Sequence, residues 1–547
     1  MIFPAGLILF FLIFGLAVFP KRWLKGYAVL IMTGLVVYHW FLVSGGQFGF
    51  EFIGFNLRLF QYREYSRLVG LIFSLFALAY YIYIWSHNRS RFFYLFSLAN
   101  VAAGLSILFV KDFVSFYIFW EILTVTVVIL IFIDSSSTEL GTKYFIYQFI
   151  GTVSLLTGIA ICYSQTGSVE LAAVPLSYPF FIVAVFVKAA IVPFHLWLVD
   201  TYPYVSFDLA VFLSAFVTKV GVFSVYILTP LVNLEIAGGL LACVAVLYAI
   251  KQTQLRNFLS YHIISQIGYM LAGLSSATAL GAIGGTYHLI SHVLYKGLLF
   301  MVAAVITLEL GSEKIRGQGG FNLTRRRPLL FVAALIGSAS ITGLPPFNGF
   351  VSKTILVAGL ESQLARYLLI AASIGTGFSF TKFIYFCFLK PGGKKVLSEN
   401  CLVLSEKSAL FFLSGLCLLM GIVPDFFLAG TPAAGMRFYS LFSVLKGLLP
   451  GLVAVFLFIT GYKIIIFAIE FVFPAWGKIN LLPSAAIKKI LAALQQLHNG
   501  NLQRYMSWVF SILLFLWLYL FNYESWFTPL FKITKNQLLF FLRVTGG

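Results

Sequence analysis

Residues 187–221 read V-K-A-A-I-V-P-F-H-L-W-L-V-D-T-Y-P-Y-V-S-F-D-L-A-V-F-L-S-A-F-V-T-K-V-G. Lys188 and Lys219 sit inside otherwise apolar runs, and Pro193 lies shortly after the first of them. In a soluble protein either ammonium would reach water at the end of its stem. Here the apolar flanks are long enough to span a bilayer, so each ammonium needs a partner or a water-filled cavity.

The composition around this stretch excludes a soluble globular chain. Of the 547 residues 61% are hydrophobic and only 10% are charged, too little polar surface to cover a water-soluble body. A spanning helix takes roughly 20 apolar residues, and about sixteen candidate segments follow one another along the chain. The expected fold is an all-α polytopic membrane protein. Met1–Phe19 lacks the basic start and small-residue cleavage site of a signal peptide, so it is expected to be the first retained span.

A net charge of +19 raises the question of nucleic acid. That partner requires basic residues gathered on a soluble face with aromatic side chains between them. The basic residues here fall into short loops between spans, which points to a lipid bilayer and argues against nucleic acid. With the N-terminus outside, the inner loops receive most of them, among them Lys21, Arg22, Lys25, Arg89, Arg91, Lys251, Arg256, Lys314, Arg316 and Arg325 to Arg327. The expected location is the cell inner (cytoplasmic) membrane with both termini outside.

Cys162, Cys243, Cys387, Cys401 and Cys417 show no metal-ligand spacing, and no Gly-rich dinucleotide fingerprint or phosphate loop is present. No cofactor and no metal are therefore expected on this chain, and no redox or hydrolytic site.

Six lysines lie within helices: Lys188, Lys219, Lys296, Lys353, Lys382 and Lys463. Lys382 and Lys463 are near helix ends, where their stems are expected to snorkel. Glu121, in F-W-E-I-L, is the acid near the middle of a span. Three histidines are interior: His262, His288 and His292. The spacing of His288, His292 and Lys296 places them on one helical face. An imidazole takes up and passes on a proton near neutral pH, and a desolvated amine gives one up more readily, so together they read as a proton relay.

Two segments carry helix breakers at membrane depth. One is Lys188 to Pro193; the other is G-L-P-P-F-N-G-F-V-S-K, residues 343–353, with Pro345 and Pro346. Both helices should be discontinuous. Breaks at corresponding positions of two halves point to inverted repeats with the ion path at their interface. The expected organisation is N-terminal helices over 1–90, a first five-helix repeat over 91–230, a second, inverted one over 231–390, and C-terminal helices over 391–547. Within the last, residues 484–498 read as an amphipathic helix lying on the membrane surface or docking a partner subunit.

The stretches K-A-A-I-V-P-F-H-L-W-L with its following K-V-G, F-W-E-I-L, S-Y-H-I-I-S-Q-I-G-Y-M-L, H-L-I-S-H-V-L-Y-K-G-L-L-F and G-L-P-P-F-N-G-F-V-S-K resemble the antiporter-like subunits of respiratory complex I, of Mrp-type sodium/proton antiporters and of related membrane-bound hydrogenases. The resemblance covers roughly residues 60 to 430. It implies about 14 core transmembrane helices in two inverted five-helix repeats, plus about two C-terminal helices. It further implies a charged axis at the membrane midplane. Glu121 and Lys188 resemble the family's glutamate–lysine pair, Lys219 its connecting lysine and Lys353 the terminal residue of the second half. His262, His288, His292 and Lys296 resemble groups on the axis between them. The turn W-L-V-D-T-Y-P-Y-V-S departs from the family's W-L-P-D-A-H form.

The function these residues imply is proton translocation, with sodium/proton exchange as a variant, by a membrane subunit working with other membrane subunits. A proton enters from the inner side, reaches Lys219 and the histidine row and leaves through Lys353, while Glu121 tunes Lys188. The alternative is a proton-conducting subunit that energises an inorganic-carbon transporter.

Overall fold

Inside hydrocarbon every backbone N–H and C=O must find a partner within its own segment, and the apolar runs of this chain accordingly form helices. The computed structural model describes residues 4–42, 46–52, 54–135, 137–316, 321–391 and 402–472. Among them ten helices are long and apolar enough to cross a membrane. Two shorter apolar helices, Pro175–Lys188 and Pro328–Thr342, are the broken segments. The protein is a multi-pass, mostly helical membrane protein. The expected amphipathic piece at 484–498, with the rest of the expected C-terminal helices beyond residue 472, lies outside the described residues.

The first expected span forms α1 (Ala5–Ile13) and α2 (Gly15–Val18), followed by α3 (Leu24–Val37). A hairpin then intervenes that an all-helical reading did not anticipate, β1 (Gln47–Phe52) paired antiparallel with β2 (Phe55–Gln61). Its signal is the alternation Phe48, Phe50, Phe52 and Phe55, Leu57, Leu59 about the left-handed turn residue Gly54. After α4 (Glu64–Tyr83) come α5 (Arg91–Phe109), α6 (Phe113–Asp134) and α7 (Thr138–Thr166). The hairpin is tied to the start of α6: the Arg58 amide donates to the Asp112 carboxylate at 2.9 Å, and the Lys111 amide to the Arg58 carbonyl at 2.9 Å.

The fourth transmembrane segment from α5 is broken into α8 (Tyr178–Lys188) and α9 (Leu196–Thr201), and the fifth into α10 (Phe207–Leu213) and α11 (Val217–Leu228). The next five run as α12 (Glu235–Lys251), α13 (Leu255–Leu274), α14 (Ala279–Leu310), the short α15 (Phe321–Arg326) leading into the broken pair α16 (Pro328–Thr342) and α17 (Asn348–Gly359), and α18 (Gln363–Ile384). The described chain closes with α19 (Leu404–Ile422), α20 (Pro424–Leu428) and α21 (Leu441–Val472). Helix starts are marked by side-chain caps at Ser90, Asp112, Ser137, Ser206, Thr278 and Ser362, each accepting a first-turn amide. The 32-residue α14 is the central pillar, enclosed by its neighbours and carrying His288, His292 and Lys296 in a mainly apolar sequence, whereas α21 packs mainly against α18.

Both expected breaks occur, and they share one geometry. At the end of α8 the Ile191 amide reaches back to the Phe186 carbonyl and the Ala190 amide to Val187, with Ala190 left-handed at φ 56°. At the end of α16 the Leu344 amide reaches Ala339 and the Gly343 amide reaches Ser340, with Gly343 at φ 89°. This is the paired back-bonding of a Schellman ending. Pro193 and Pro346 each stand three residues after the left-handed position and block continuation of the helix.

Phe207–Leu228 is long and apolar enough to be one span, and its helix is interrupted between α10 and α11 at residues 214–216. The physical reason is close by: the Lys219 ammonium takes the Ser214 carbonyl that the interruption frees.

On the side that carries Arg89 and Arg91, one ionic cluster joins four elements. The Asp134 carboxylate at the end of α6 accepts from Arg89 Nη1 at 2.9 Å, from Ser206 Oγ at 2.5 Å and from the Ser206 amide at 2.6 Å. Arg89 Nε donates to Asp208 in α10 at 2.7 Å. The His87 ring bridges Asp208 at 2.9 Å and Glu406 in α19 at 3.2 Å. Burial on its own would lower the His87 pKa, but the hydrogen bonds and charges of Asp208 and Glu406 raise it to about 9.

Because the folded-state value lies above the ordinary 6.5, protonated His87 stabilises the fold fully below about pH 6.5. That contribution is lost as pH rises through about 9. Melting of the purified protein in detergent between pH 6 and pH 10 should show this loss, and His87→Gln should remove the fall between about 6.5 and 9. An unchanged profile in the variant rejects the assignment. A second prediction concerns Gly343. A methyl group there would lie 2.8 Å from Lys353 Cδ and meet a backbone that L-residues rarely adopt. Gly343→Ala should lower stability by about 1–3 kcal/mol. Ala190→Gly, at the equivalent place, should cost nothing of that kind; equal melting shifts for the two would contradict the strain argument.

Candidate functional site

The sequence-selected groups are distributed along the broken helices and α14. On α6, Trp120, Glu121 and Thr124 occupy adjoining positions of one stretch of helix facing α8 and α7. The Lys188 side chain, 1% exposed, donates to Thr124 Oγ1 at 2.5 Å and lies 4.6 Å from the centre of the Trp120 ring. The Thr124 hydroxyl hydrogen is already committed to the Trp120 carbonyl at 3.0 Å, so it offers Lys188 only lone pairs. The Glu121 carboxylate instead accepts from Thr152 Oγ1 of α7 at 2.5 Å. Glu121 and Lys188 therefore form no direct ion pair here, although they are close enough for their charges to interact. Gly221 of α11 makes room for this lysine, since a Cβ there would stand 2.9 Å from Lys188 Cγ.

Lys219 is wholly buried and is held by the Ser214 carbonyl and by Thr218 Oγ1 at 3.1 Å. Lys353 on α17 plays the same part at the other break. Its ammonium donates to the carbonyls of Ile341 at 2.9 Å and Thr342 at 3.0 Å, and to Ser373 Oγ at 3.2 Å. The last four carbonyls of α16 are thus all satisfied, Ala339 and Ser340 by backbone amides and Ile341 and Thr342 by a lysine. A helix C-terminus carries partial negative charge, so these carbonyls stabilise an ammonium where no carboxylate stands.

Between the two breaks lie the histidines. His288 Nδ1 pairs with Ser352 Oγ at 3.0 Å and Nε2 with Gln266 Oε1 at 3.2 Å, and its ring stacks on Tyr269 at 5.1 Å. Tyr269 in turn lies under Lys353, 4.7 Å from its ammonium, and its hydroxyl meets Ser373 at 2.8 Å. His262 Nε2 pairs with Ser379 Oγ at 2.7 Å. Lys296 Nζ and both ring nitrogens of His292 are buried with no hydrogen-bond partner in the protein, as is Nδ1 of His262. Buried polar atoms of this kind are satisfied by water. The charges of Lys219, Lys296, His292 and His262 act on one another, which places them in one neighbourhood.

Sequence reading selected the charged groups and missed the groups that hold them: Thr124, Trp120, Thr152, Gln266, Tyr269, Ser352, Ser373 and the carbonyls at the helix breaks. The expected snorkelling of Lys382 is also corrected. It is 3% exposed, and its ammonium donates to the carbonyls of Ile250 at 2.7 Å and Gln252 at 2.8 Å, at the end of α12. Lys463 is exposed. Among the described residues no three His, Cys, Asp or Glu side chains are grouped as a metal ion would need.

Residues 110–379, which contain every charged group of this axis, match the family described as "NADH:quinone oxidoreductase/Mrp antiporter, TM". An uncharacterized protein of Methanocaldococcus jannaschii is 30% identical over 367 residues, covering 62% of this chain and 76% of the relative. A Na(+)/H(+) antiporter subunit of Alkalihalophilus pseudofirmus is 26% identical over 351 residues, covering 59% of this chain and 70% of the relative. In fold, a chain of the membrane-bound sulfane sulfur reductase, an archaeal respiratory membrane complex, superposes with a TM-score of 0.75 at 23% identity, over 93% of this chain and 99% of the other. The chain therefore belongs to the antiporter-like membrane-subunit family of NADH:quinone oxidoreductases and Mrp antiporters.

Proposed function

We propose that this chain is a proton-translocating subunit of a multisubunit complex in the cytoplasmic membrane, with both termini outside. The observation that carries the reading is the run of buried proton-exchanging side chains from Lys188 through Lys219, Lys296, His292, His262 and His288 to Lys353. Each is held by a hydroxyl, an amide or a helix-end carbonyl, or is left for water. Such partners accept or donate without fixing the proton permanently. A carboxylate at every lysine would hold it far more tightly.

Glu121 is the adjustable member. Held by Thr152, it leaves Lys188 to a neutral hydroxyl; turned toward Lys188, it stabilises the ammonium. At an effective dielectric constant of about 20, two unit charges about 4 Å apart attract by about 4 kcal/mol, enough to change a proton's residence about a thousandfold. Movement of one side chain between Thr152 and Lys188 is thus a switch on the first lysine of the axis.

Supporting a two-part path, each set of five transmembrane segments, within 91–230 and within 231–390, has its fourth segment broken, and the breaks share one backbone geometry. Five segments per set turn the second upside down relative to the first, giving one half-path toward each side. In the sequence, residues 1–90 precede this core and 391–547 follow it. The relative in Alkalihalophilus pseudofirmus is named as belonging to a Na(+)/H(+) antiporter, and sodium/proton exchange is the second form the same axis can take. Energising an inorganic-carbon transporter rests on no residue of its own.

Glu121→Gln and Lys188→Ala, each in the assembled complex, should reduce proton flux into membrane vesicles at least tenfold while leaving assembly intact. A pH-sensitive dye reads the flux, with sodium present and absent. Full flux in both variants removes this function.

A further inference from the structure

One buried lysine has no part in the path above. Lys382, on α18 close to the side that carries the basic loops, caps the carbonyls of Ile250 and Gln252. Capping satisfies two carbonyls at the end of α12, where Ile250 is buried. The surroundings of the lysine supply another reason for its burial. Three hydroxyl residues of α18 precede it at intervals of three: Ser373, Thr376 and Ser379. Ser373 touches the Lys353 ammonium at 3.2 Å. Ser379 touches His262 at 2.7 Å and the Thr376 carbonyl at 2.9 Å. Having one hydrogen for two acceptors, the Ser379 hydroxyl serves His262 either as donor or as acceptor. The Phe258 ring lies edge-on to His262 at 4.8 Å and 5.5 Å from the Lys382 ammonium, so lysine and imidazole share one aromatic neighbour. On its far side Lys382 feels the charge of the exposed Arg316.

We propose that Lys382 is a further proton-carrying residue, joining the second half of the axis to the basic side of the membrane by way of His262 and Ser379. This rests on the proton-translocating reading given above. The proton passes between the lysine amine and the His262–Ser379 pair, and water carries it on to Ser373 and Lys353, since the Thr376 hydroxyl between them is bonded to the Ala372 carbonyl. Protons reach the second half by this route without crossing the first.

The test uses the intact complex in membrane vesicles and proton flux read by a pH-sensitive dye. Lys382→Met should lower flux at least tenfold. Lys382→Arg keeps a cation for the α12 carbonyls but does not release its proton, so it should fail equally. Lys382→His, able to exchange a proton, should retain at least half the flux. Wild-type flux in the Met or the Arg variant overturns the proposal, the Arg result assigning Lys382 to capping alone. If the Arg variant does not assemble, Met and His decide, and equal flux in those two overturns it. Lys353→Met is the parallel control: its loss with Lys382→Met unaffected rejects this inference alone, whereas unimpaired flux in Lys353→Met rejects the translocation reading itself.

Discussion

A broken helix in a membrane creates carbonyl groups that neither water nor the next turn can satisfy, and a lysine in a membrane creates an ammonium with nowhere to go. In this protein each problem is the answer to the other. Lys353 takes the last two carbonyls of α16, Lys219 takes the one freed between α10 and α11, and Lys382 takes two at the end of α12. The arrangement fixes where the breaks can lie and keeps the cations off the lipid. It also explains how several lysines are buried on an axis whose acid, Glu121, stands at the Lys188 end: oriented carbonyl dipoles do what carboxylates do elsewhere, with a weaker and more reversible hold.

The first lysine is treated differently. Lys188 stands on the broken helix itself rather than reaching back to one, and its partners are a threonine hydroxyl and the face of Trp120. Those partners stabilise a cation less than a carboxylate in contact does. That leaves the Glu121 contact, now spent on Thr152, as the variable term. The ionic cluster at Arg89, Asp134, Ser206 and Asp208 anchors the start of α10, whose other end presents the Ser214 carbonyl to Lys219. A seven-residue helix therefore connects the membrane surface to the middle of the axis.

The buried charged groups and the two helix breaks were legible in the sequence because a lysine or glutamate in a long apolar run has few structural excuses, and because Pro193, Gly343, Pro345 and Pro346 announce breaks by steric necessity. The histidine row followed from the spacing of His288, His292 and Lys296. The supporting groups were not legible. Serine and threonine are common in apolar helices and are usually satisfied by the carbonyl one turn back, as Thr126 and Ser224 are. Nothing local therefore separates them from Thr124, Ser373 and Ser379, whose roles come from contacts between helices distant in sequence. Lys382 misled because distance from a helix end says little about burial once α12 and α13 close over it. The hairpin was hidden behind a membrane-wide expectation, although its alternation is plain over a short window.

Lys188, Lys219, Lys296, Lys353 and Lys382 are all buried, and among the described residues of the axis only Glu121 opposes them. Cations crowded into so poor a solvent repel one another too strongly for every site to be filled together. The row therefore has more seats than passengers. In the path proposed above, a newcomer at one end raises the cost of occupancy further along, so the number of protons held at once would be set by electrostatic exclusion rather than by the number of basic side chains.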